Sequence, residues 1–303
     1  MQKLLLLGDE AIAQAALDAG LSGMYAYPGT PSTEIMEYVQ ASAQAEAGFV
    51  HREWSSNEKT AMEAALGMSY AGKRAMVAMK HVGLNVAADA FINSAVTGVN
   101  GGLVVVAADD PSMHSSQNEQ DSRFYGRFAL VPVMEPRNQQ EAYDMIFDAF
   151  SLSEKYRLPV LFRITTRLAH SRSAVARRAP LSQNSLVLPS NPRQFVLLPA
   201  IARKQYRALT SLYEQLHTDE LLDGNNRLSE GKGRGTGIIT CGIAFNYLME
   251  NIGGRENDYH ILSVGAYPLN RDKVAALVGK CDRVLVLEEG YPIIEEHLRG
   301  LLD

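Results

Sequence analysis

Residues 74–109 read RAMVAMKHVGLNVAADAFINSAVTGVNGGLVVVAAD, and they contain the clearest secondary-structure pattern of the chain. The runs RAMVAMK and GLVVVAAD have the length and apolar content of buried strands, and a helix is predicted between them over residues 84–96. A strand, a helix and a second strand of this length form a right-handed crossover, which makes the two strands parallel. The stretch therefore predicts a parallel sheet covered by helices on both faces.

The same alternation continues on both sides of this unit. A first helix is predicted after the Leu4 to Leu7 run, with Asp9 as its cap, and a second over residues 32–44, with Thr30 as its N-cap. Further strands are predicted in GMYAYPGTP, FVHRE, VPVME and PVLFRITT. Residues 139–155 are predicted to form a helix before the last of these strands. The pattern indicates one α/β domain.

The composition changes near His170. The stretch SRSAVARRAPLSQNSLVLPSNPRQ is rich in Ser, Pro and Arg and is predicted to be a surface connection. A helix is predicted over residues 199–222, followed by a flexible loop. From Ile238 onwards, GIITCG, YHILSVGAYP and RVLVLEEG alternate with predicted helices over residues 243–251, over residues 272–280 and from residue 292. We predict domains at residues 1–178 and 235–303, joined by a linker and helix at residues 179–234.

The composition excludes several classes of protein. Of the 303 residues, 46% are hydrophobic and 21% charged, which suits two globular domains. A net charge of −5 without a long basic run argues against nucleic acid or an anionic membrane as a partner. Cys241 and Cys281 are too few for a four-thiolate iron–sulfur cluster and fit a reducing cytoplasm. KLLLLGDE is too short for a signal peptide or membrane span, so we expect a soluble cytoplasmic protein.

Polar residues concentrate where the predicted strands of the first domain end. Ligands of open parallel sheets bind outside the carboxyl ends of the strands. The residues expected along this rim are Thr30, Glu58, Lys80, His81, Asp109, Asp110, His114 and Arg123. The predicted loop from Asp109 to Arg123 is longer than an ordinary strand-to-helix connection and dense in polar residues. Such a loop is either a binding loop or a solvated insertion.

Glu58 has two possible roles. Ser55-Ser56-Asn57-Glu58 matches the S-x-x-E capping box, in which serine and glutamate satisfy backbone N–H groups of a first helical turn. A carboxylate at a strand-end rim also suits acid–base chemistry. The histidines and cysteines show no metal-ligand spacing such as C-x-x-C, and no protein-built metal site is predicted.

Four blocks of the sequence resemble one known family. YPGTPSTEI, EWSSNEKTAMEAALGMSYAG, MKHVGLNVAAD and ADDPSMHSSQNEQDSR resemble, in this order, the pyrimidine-binding domain of indolepyruvate:ferredoxin oxidoreductase alpha subunits. These are thiamine-diphosphate-dependent 2-oxoacid:ferredoxin oxidoreductases. VLVLEEGYPIIEEHL resembles the transketolase C-terminal-like domain of the same family. The resemblance implies two parallel-sheet, three-layer α/β domains: a thiamine-diphosphate-binding fold and then a transketolase C-terminal-like domain.

The resemblance also implies roles for individual residues. Glu58 falls on the glutamate that shares a proton with N1′ of the cofactor's aminopyrimidine, and Thr30, Lys80 and His81 fall on the cofactor-binding wall. The residues that would face the bound 2-oxo acid are Thr30, His114, Ser115, Asn118, Asp121 and Arg123.

The sequence departs from the family in what these 303 residues contain. They lack the GDG motif, followed by Asn, that binds diphosphate and Mg²⁺, and they lack cysteine clusters. The diphosphate–Mg²⁺ site and the [4Fe-4S] clusters are therefore expected on other segments, of a longer protein or of a second chain. The implied reaction is oxidative decarboxylation of aryl 2-oxo acids to acyl-CoA. The implied partners are a beta subunit, a second alpha copy, ferredoxin and coenzyme A. The alternatives are another 2-oxo acid, or a non-catalytic scaffold subunit of the same fold.

Overall fold

The computed structural model of the chain describes residues 3–299. The strands in this part of the chain are β1 (Lys3–Leu7), β2 (Gly23–Ala26), β3 (His51–Trp54), β4 (Ala75–Lys80), β5 (Leu103–Asp109), β6 (Val133–Met134), β7 (Val160–Thr165), β8 (Arg172–Ala176), β9 (Arg227–Ser229), β10 (Thr236–Cys241), β11 (His260–Val264), β12 (Ala266–Tyr267) and β13 (Arg283–Leu287). The α-helices are α1 (Gly8–Asp18), α2 (Thr33–Gln40), α3 (Ala43–Glu46), α4 (Glu58–Tyr70), α5 (His81–Thr97), α6 (Arg123–Ala129), α7 (Gln139–Tyr156), α8 (Thr166–His170), α9 (Pro199–Leu216), α10 (Glu220–Gly224), α11 (Ala244–Ile252), α12 (Arg271–Val278) and α13 (Ile293–Arg299).

Seven strands form the larger sheet, in the spatial order β12-β6-β7-β5-β4-β2-β3. Six of them are parallel to their neighbours, and the edge strand β12 pairs antiparallel with β6. Every residue of β5 and β7 is buried, as expected for strands covered by helices on both faces. Because the strands are parallel, their carboxyl ends lie at one edge of the sheet. The residues that follow each strand therefore lie at the predicted rim.

A second sheet has the order β13-β10-β11-β9. β10 is parallel to both β11 and β13, and β9 adds an antiparallel edge. The two parallel-dominated sheets confirm the predicted α/β class. β12 follows β11 in the chain but joins the larger sheet, so the second half of the chain is tied to the first by backbone hydrogen bonds. The predicted domain boundaries stay a prediction.

A two-stranded antiparallel sheet of β1 and β8 was not predicted. β8 lies within the Ser- and Arg-rich stretch that the sequence pattern assigned to a surface connection. Only Val175 of β8 is buried, and three of its five residues are exposed, so its sequence carries little of the apolar signal of a strand.

Three predicted helix caps are wrong. β1 runs directly into α1, so Leu7 is the N-cap and Asp9 lies inside the first turn. The residue at the N-cap position of α2 is Ser32 and not Thr30, and its side chain makes no capping hydrogen bond. α4 begins at Glu58 itself, and its N-cap is Asn57, whose Oδ1 accepts a hydrogen bond from Thr60 N at 3.0 Å. Asn57 and Thr60 therefore form the capping box that was expected of Ser55 and Glu58.

Two predicted helices are shorter than expected. The helix predicted over residues 32–44 ends at Gln40, and Ser42 caps the separate helix α3. The helix predicted over residues 199–222 ends at Leu216, because Asp219 accepts hydrogen bonds from Leu221 N and Leu222 N and starts α10. No helix described within residues 3–299 is both long enough and apolar enough to cross a membrane.

Candidate functional site

Glu58 lies half-buried in the first turn of α4, against the first turn of α5. A Cβ placed on Gly83 of α5 would lie 2.5 Å from Glu58 Oε1, so only glycine leaves room for the carboxylate there. Among the described residues, Glu58 makes no hydrogen bond or ion pair. Its capping role is taken by Asn57, so the structure leaves this carboxylate available to a ligand.

Thr30, Lys80 and Ser115 meet at the rim. Lys80 Nζ donates to Ser115 O at 2.9 Å, and Ser115 Oγ donates to Thr30 O at 3.4 Å. Gly29 packs against Lys80, since a Cβ at Gly29 would lie 3.4 Å from Lys80 Cβ. The ends of β2 and β4 and the loop after β5 are thereby joined, and a positive charge lies at this edge of the sheet.

His81, the first residue of α5, is buried beside this cluster. Its Nε2 lies 3.2 Å from Asn118 O. A neutral imidazole with its proton on Nε2 donates to that carbonyl and keeps Nδ1 as an acceptor. Nδ1 is buried and has no hydrogen-bond partner among the described residues. A buried ring nitrogen without a partner at the rim can accept a hydrogen bond from a ligand or an ordered water.

Asp110 organises the loop between β5 and α6. Its carboxylate accepts hydrogen bonds from His114 N at 3.2 Å, Ser115 N at 2.8 Å and Ser116 Oγ at 2.6 Å. Burial raises the pKa of Asp110, but these hydrogen bonds and one from Thr166 Oγ1 outweigh burial and hold the pKa well below its ordinary value. His114 and Ser115 are exposed, so the loop presents them to solvent on a fixed backbone.

Asp121 and Arg123 lie apart from the exposed rim. Both side chains are buried and form an ion pair, and Arg123 Nη1 also lies 3.4 Å from Glu288 Oε2. Arg123 Nη2 donates to Tyr291 O at 3.0 Å, which ties α6 to the loop after β13. Burial raises the pKa of Asp121, but the charge of Arg163 and hydrogen bonds from Arg123 lower it to about 2. The guanidinium of Arg123 is thus engaged by protein groups.

Arg163 and Glu135 complete this buried ion network. Arg163, on β7, is fully buried, pairs with Glu135 and donates from Nε to Asp109 Oδ2 at 2.6 Å. Sequence patterns did not indicate Arg163, although a charged residue inside the apolar run VLFRIT is a signal that could have. The network lies between the rim and the second sheet.

The structure therefore brings together the predicted residues Thr30, Lys80, His81, Ser115 and Asn118, and it places Glu58 on the helix turn that packs against α5. His114 is exposed on the same loop. A cavity of about 850 Å³ lies elsewhere, at the far end of α5 around Gly98 and Leu209, and contains no rim residue.

Comparison with known proteins identifies the family of the chain. Residues 14–205 match the family model described as pyruvate flavodoxin/ferredoxin oxidoreductase, thiamine diphosphate-binding. The chain is 42% identical, over 99% of its length, to indolepyruvate oxidoreductase subunit IorA of Archaeoglobus fulgidus, and 43% identical, over 98%, to that of Methanothermobacter marburgensis. It spans 49% and 48% of the length of these two relatives.

Solved structures show the same fold. A 2-oxoglutarate:ferredoxin oxidoreductase from Magnetococcus marinus aligns with a TM-score of 0.81 at 18% identity, covering 98% of this chain and 60% of that one. A split-gene transketolase aligns with a TM-score of 0.63 at 14% identity, covering 98% of this chain and 86% of the other. The family model matches more than half of the chain, and the chain belongs to the thiamine-diphosphate-binding family of the pyruvate flavodoxin/ferredoxin oxidoreductases.

Proposed function

We propose that the rim binds the aminopyrimidine of thiamine diphosphate through Glu58, in a protein that oxidatively decarboxylates indolepyruvate and related aryl 2-oxo acids. The observation that carries this proposal is the carboxylate of Glu58, which is held over Gly83 and engaged by no described protein group. The identity to two indolepyruvate oxidoreductase subunits supports the choice of substrate.

The residues present fit an aminopyrimidine. Glu58 offers a carboxylate to a ring nitrogen, and Gly83 keeps the first turn of α5 free of side-chain bulk beside it. His81 keeps an unsatisfied acceptor nearby, of the kind that an exocyclic amine satisfies. When bound, thiamine diphosphate supplies an acidic thiazolium carbon that attacks 2-oxo acids and accepts the electrons released on decarboxylation.

In this proposal the chain contributes proton transfer and positioning. Glu58 holds and exchanges a proton at N1′, which sets the tautomer of the aminopyrimidine. Lys80 lies beside Thr30 and Ser115 and offers a positive charge to the substrate carboxylate. His114 and Asn118 are exposed on the same loop as Ser115. Asp121 and Arg123 were predicted to contact substrate. Because their charges are paired in the buried network, we propose that they position the loop instead.

The complete protein would contain further cofactor sites and would have further partners. The Mg²⁺–diphosphate site and the [4Fe-4S] clusters would lie on segments other than these 303 residues. The partners would be a beta subunit, a second alpha copy, ferredoxin and coenzyme A. The protein would act in the cytoplasm. Coenzyme A is bound in the structurally similar 2-oxoglutarate enzyme, and the relatives are named as subunits.

The substrate is tested by rates of ferredoxin reduction in the reconstituted protein with thiamine diphosphate and coenzyme A. We expect kcat/KM for indolepyruvate to exceed that for 2-oxoglutarate or pyruvate. A preference for 2-oxoglutarate would assign the chain to the alternative substrate class, which a 30%-identical 2-oxoglutarate synthase subunit represents. No activity with any 2-oxo acid, in a preparation that binds the cofactor, would favour the scaffold alternative.

The 303-residue chain by itself is expected to bind thiamine diphosphate weakly. Its sequence has no GDG motif to hold the diphosphate and Mg²⁺. In the proposed binding mode, Glu58 would contact only the ring. Isothermal titration calorimetry with Mg²⁺ should give a Kd weaker than about 0.1 mM. Tight, Mg²⁺-dependent binding would contradict the assignment of the diphosphate site to another segment.

Gly83→Ala is expected to separate folding from cofactor activation. The added Cβ displaces the Glu58 carboxylate, and a reacting group that moves by about 1 Å loses about 10–100-fold in rate. The fold should tolerate the change, because alanine is about 0.5–1 kcal/mol better than glycine inside a helix. Melting temperature and exchange of the C2 proton of the bound cofactor measure the two effects.

Gly67→Ala is the matched control for this prediction. Gly67 lies within α4, and a Cβ there meets nothing within 4 Å. The Gly67→Ala variant should therefore have the same or a higher melting temperature and should exchange the C2 proton at the wild-type rate. Equal exchange rates in both alanine variants would show that the space above Gly83 is not needed by Glu58.

A further inference from the structure

Asp9, Glu34 and His170 converge where α1, α2 and α8 meet. One potential ligand atom from each side chain lies within 4.8 Å of the other two. His170 Nε2 lies 3.7 Å from Glu34 Oε1, close to the separation of about 3.4 Å between ligands on a tetrahedral zinc ion. The three residues are widely spaced in the sequence, so no ligand-spacing motif could predict this cluster.

Asp9 is the unusual member of the cluster. Its side chain is completely buried, and neither carboxylate oxygen has a hydrogen-bond partner among the described residues. One oxygen of Glu34 is also buried without a partner. Burying an ionised carboxylate without a partner is strongly unfavourable, and native structures pair such groups with donors or metal ions.

Protonation alone does not resolve this arrangement. Burial, followed by the negative charges of Glu34 and Glu10, raises the pKa of Asp9 well above its ordinary value. A protonated carboxyl group would still have a second oxygen that needs a donor, and neither oxygen of Asp9 receives a hydrogen bond from the described residues. A cation satisfies both carboxylates and the imidazole at once.

We propose that Asp9, Glu34 and His170 form a binding site for a divalent transition-metal ion, with Zn²⁺ the best fit. Two carboxylates and a neutral imidazole balance the charge of such an ion. An imidazole ligand favours zinc over Mg²⁺ and Ca²⁺, which prefer all-oxygen sites. Glu34 and His170 are about one-third exposed, so water can complete the coordination.

This site would fix the entrance to α2. Glu34 lies in the first turn of α2, and the preceding residue, Thr33, accepts a hydrogen bond from Gly29 N at 3.1 Å. The loop that carries Thr30 would thus be anchored through α2 to α1 and α8. The inference concerns metal binding and does not depend on the proposed activity.

Titration of chelator-treated protein with Zn²⁺ alone tests the site. We expect saturable 1:1 binding with a Kd on the order of 1 µM or tighter, unchanged by millimolar Mg²⁺. At a free zinc concentration of about 100 times Kd, the melting temperature should rise by about 5 °C. Co²⁺ in place of Zn²⁺ should give visible absorption bands of a site with a nitrogen ligand.

Two variants and one control make the outcome decisive. His170→Gln removes the imidazole at a part-exposed position, so the variant should still fold. Asp9→Asn removes the buried charge. Each substitution should weaken zinc binding by about 100-fold. His51→Gln is the control, because His51 pairs with Glu53 at 3.2 Å outside any such described cluster. No saturable zinc binding by the wild type, or equal binding by His170→Gln and His51→Gln, would overturn the proposal.

Discussion

Arg163→Met is expected to lower the free energy of unfolding by about 3–5 kcal/mol. The Arg163 side chain is completely buried, and the carboxylates of Asp109, Asp121 and Glu135 surround it. Methionine has a similar apolar volume but supplies no charge, so the three carboxylates would be left in a low-dielectric interior without their main counter-charge. Loss of one member of a buried ion network is costly for this reason, even where the intact network adds little net stability.

Chemical denaturation of the variant and the wild type measures this effect. Arg163→Lys should fall between them, because it keeps the charge but loses the fork of donors that reaches Asp109 and the Glu289 carbonyl. Arg234→Met is the matched control. Arg234 pairs with Asp282 at 3.5 Å with two-thirds of its side chain exposed, and its loss should cost less than about 1 kcal/mol. If Arg163→Met unfolded as Arg234→Met does, the network would not stabilise the fold.

The sequence predicted the parallel sheet well because its strands are buried on both faces. β5 and β4 appear as continuous apolar runs, and a run of this kind carries its own signal. The sheet of β1 and β8 was missed because β8 buries only one of its five residues and so shows no strand pattern. The pairing of β12 with β6 could not be predicted either, because a strand of two residues shows no periodicity in the sequence.

The rim was predictable in outline, because the ends of parallel strands must lie at one edge. Which of its side chains touch was not, since Ser115 reaches Lys80 only through the fold of a loop that Asp110 holds. The roles of Asp121 and Arg123 depend on partners from β7 and from the loop after β13. Those contacts between distant segments leave no pattern in the local sequence.

Glu58→Gln is expected to slow activation of the cofactor with little effect on folding. Because Asn57 and Thr60 form the capping box of α4, the substitution leaves both capping hydrogen bonds in place. Loss of a negative charge from the first turn should cost no more than about 1 kcal/mol. Glutamine cannot exchange a proton with N1′, and a lost acid–base group costs about 100-fold or more in rate.

Glu58→Ala should behave in the same way. With the cap on Asn57, alanine at position 58 removes no capping hydrogen bond, so its melting temperature should stay close to that of Glu58→Gln. Glu63→Gln is the control on the same helix. Glu63 is exposed and lies 3.8 Å from Lys59, so its substitution removes a similar charge without touching the rim.

Exchange of the C2 proton of bound thiamine diphosphate, followed by NMR after a deuterium quench in the reconstituted protein, tests the central role of Glu58 most directly. We predict that Glu58→Gln exchanges this proton about 100-fold more slowly than the wild type, or slower still, while Glu63→Gln exchanges it at the wild-type rate. Exchange by Glu58→Gln at the wild-type rate, with cofactor bound, would contradict the assignment of this carboxylate to N1′.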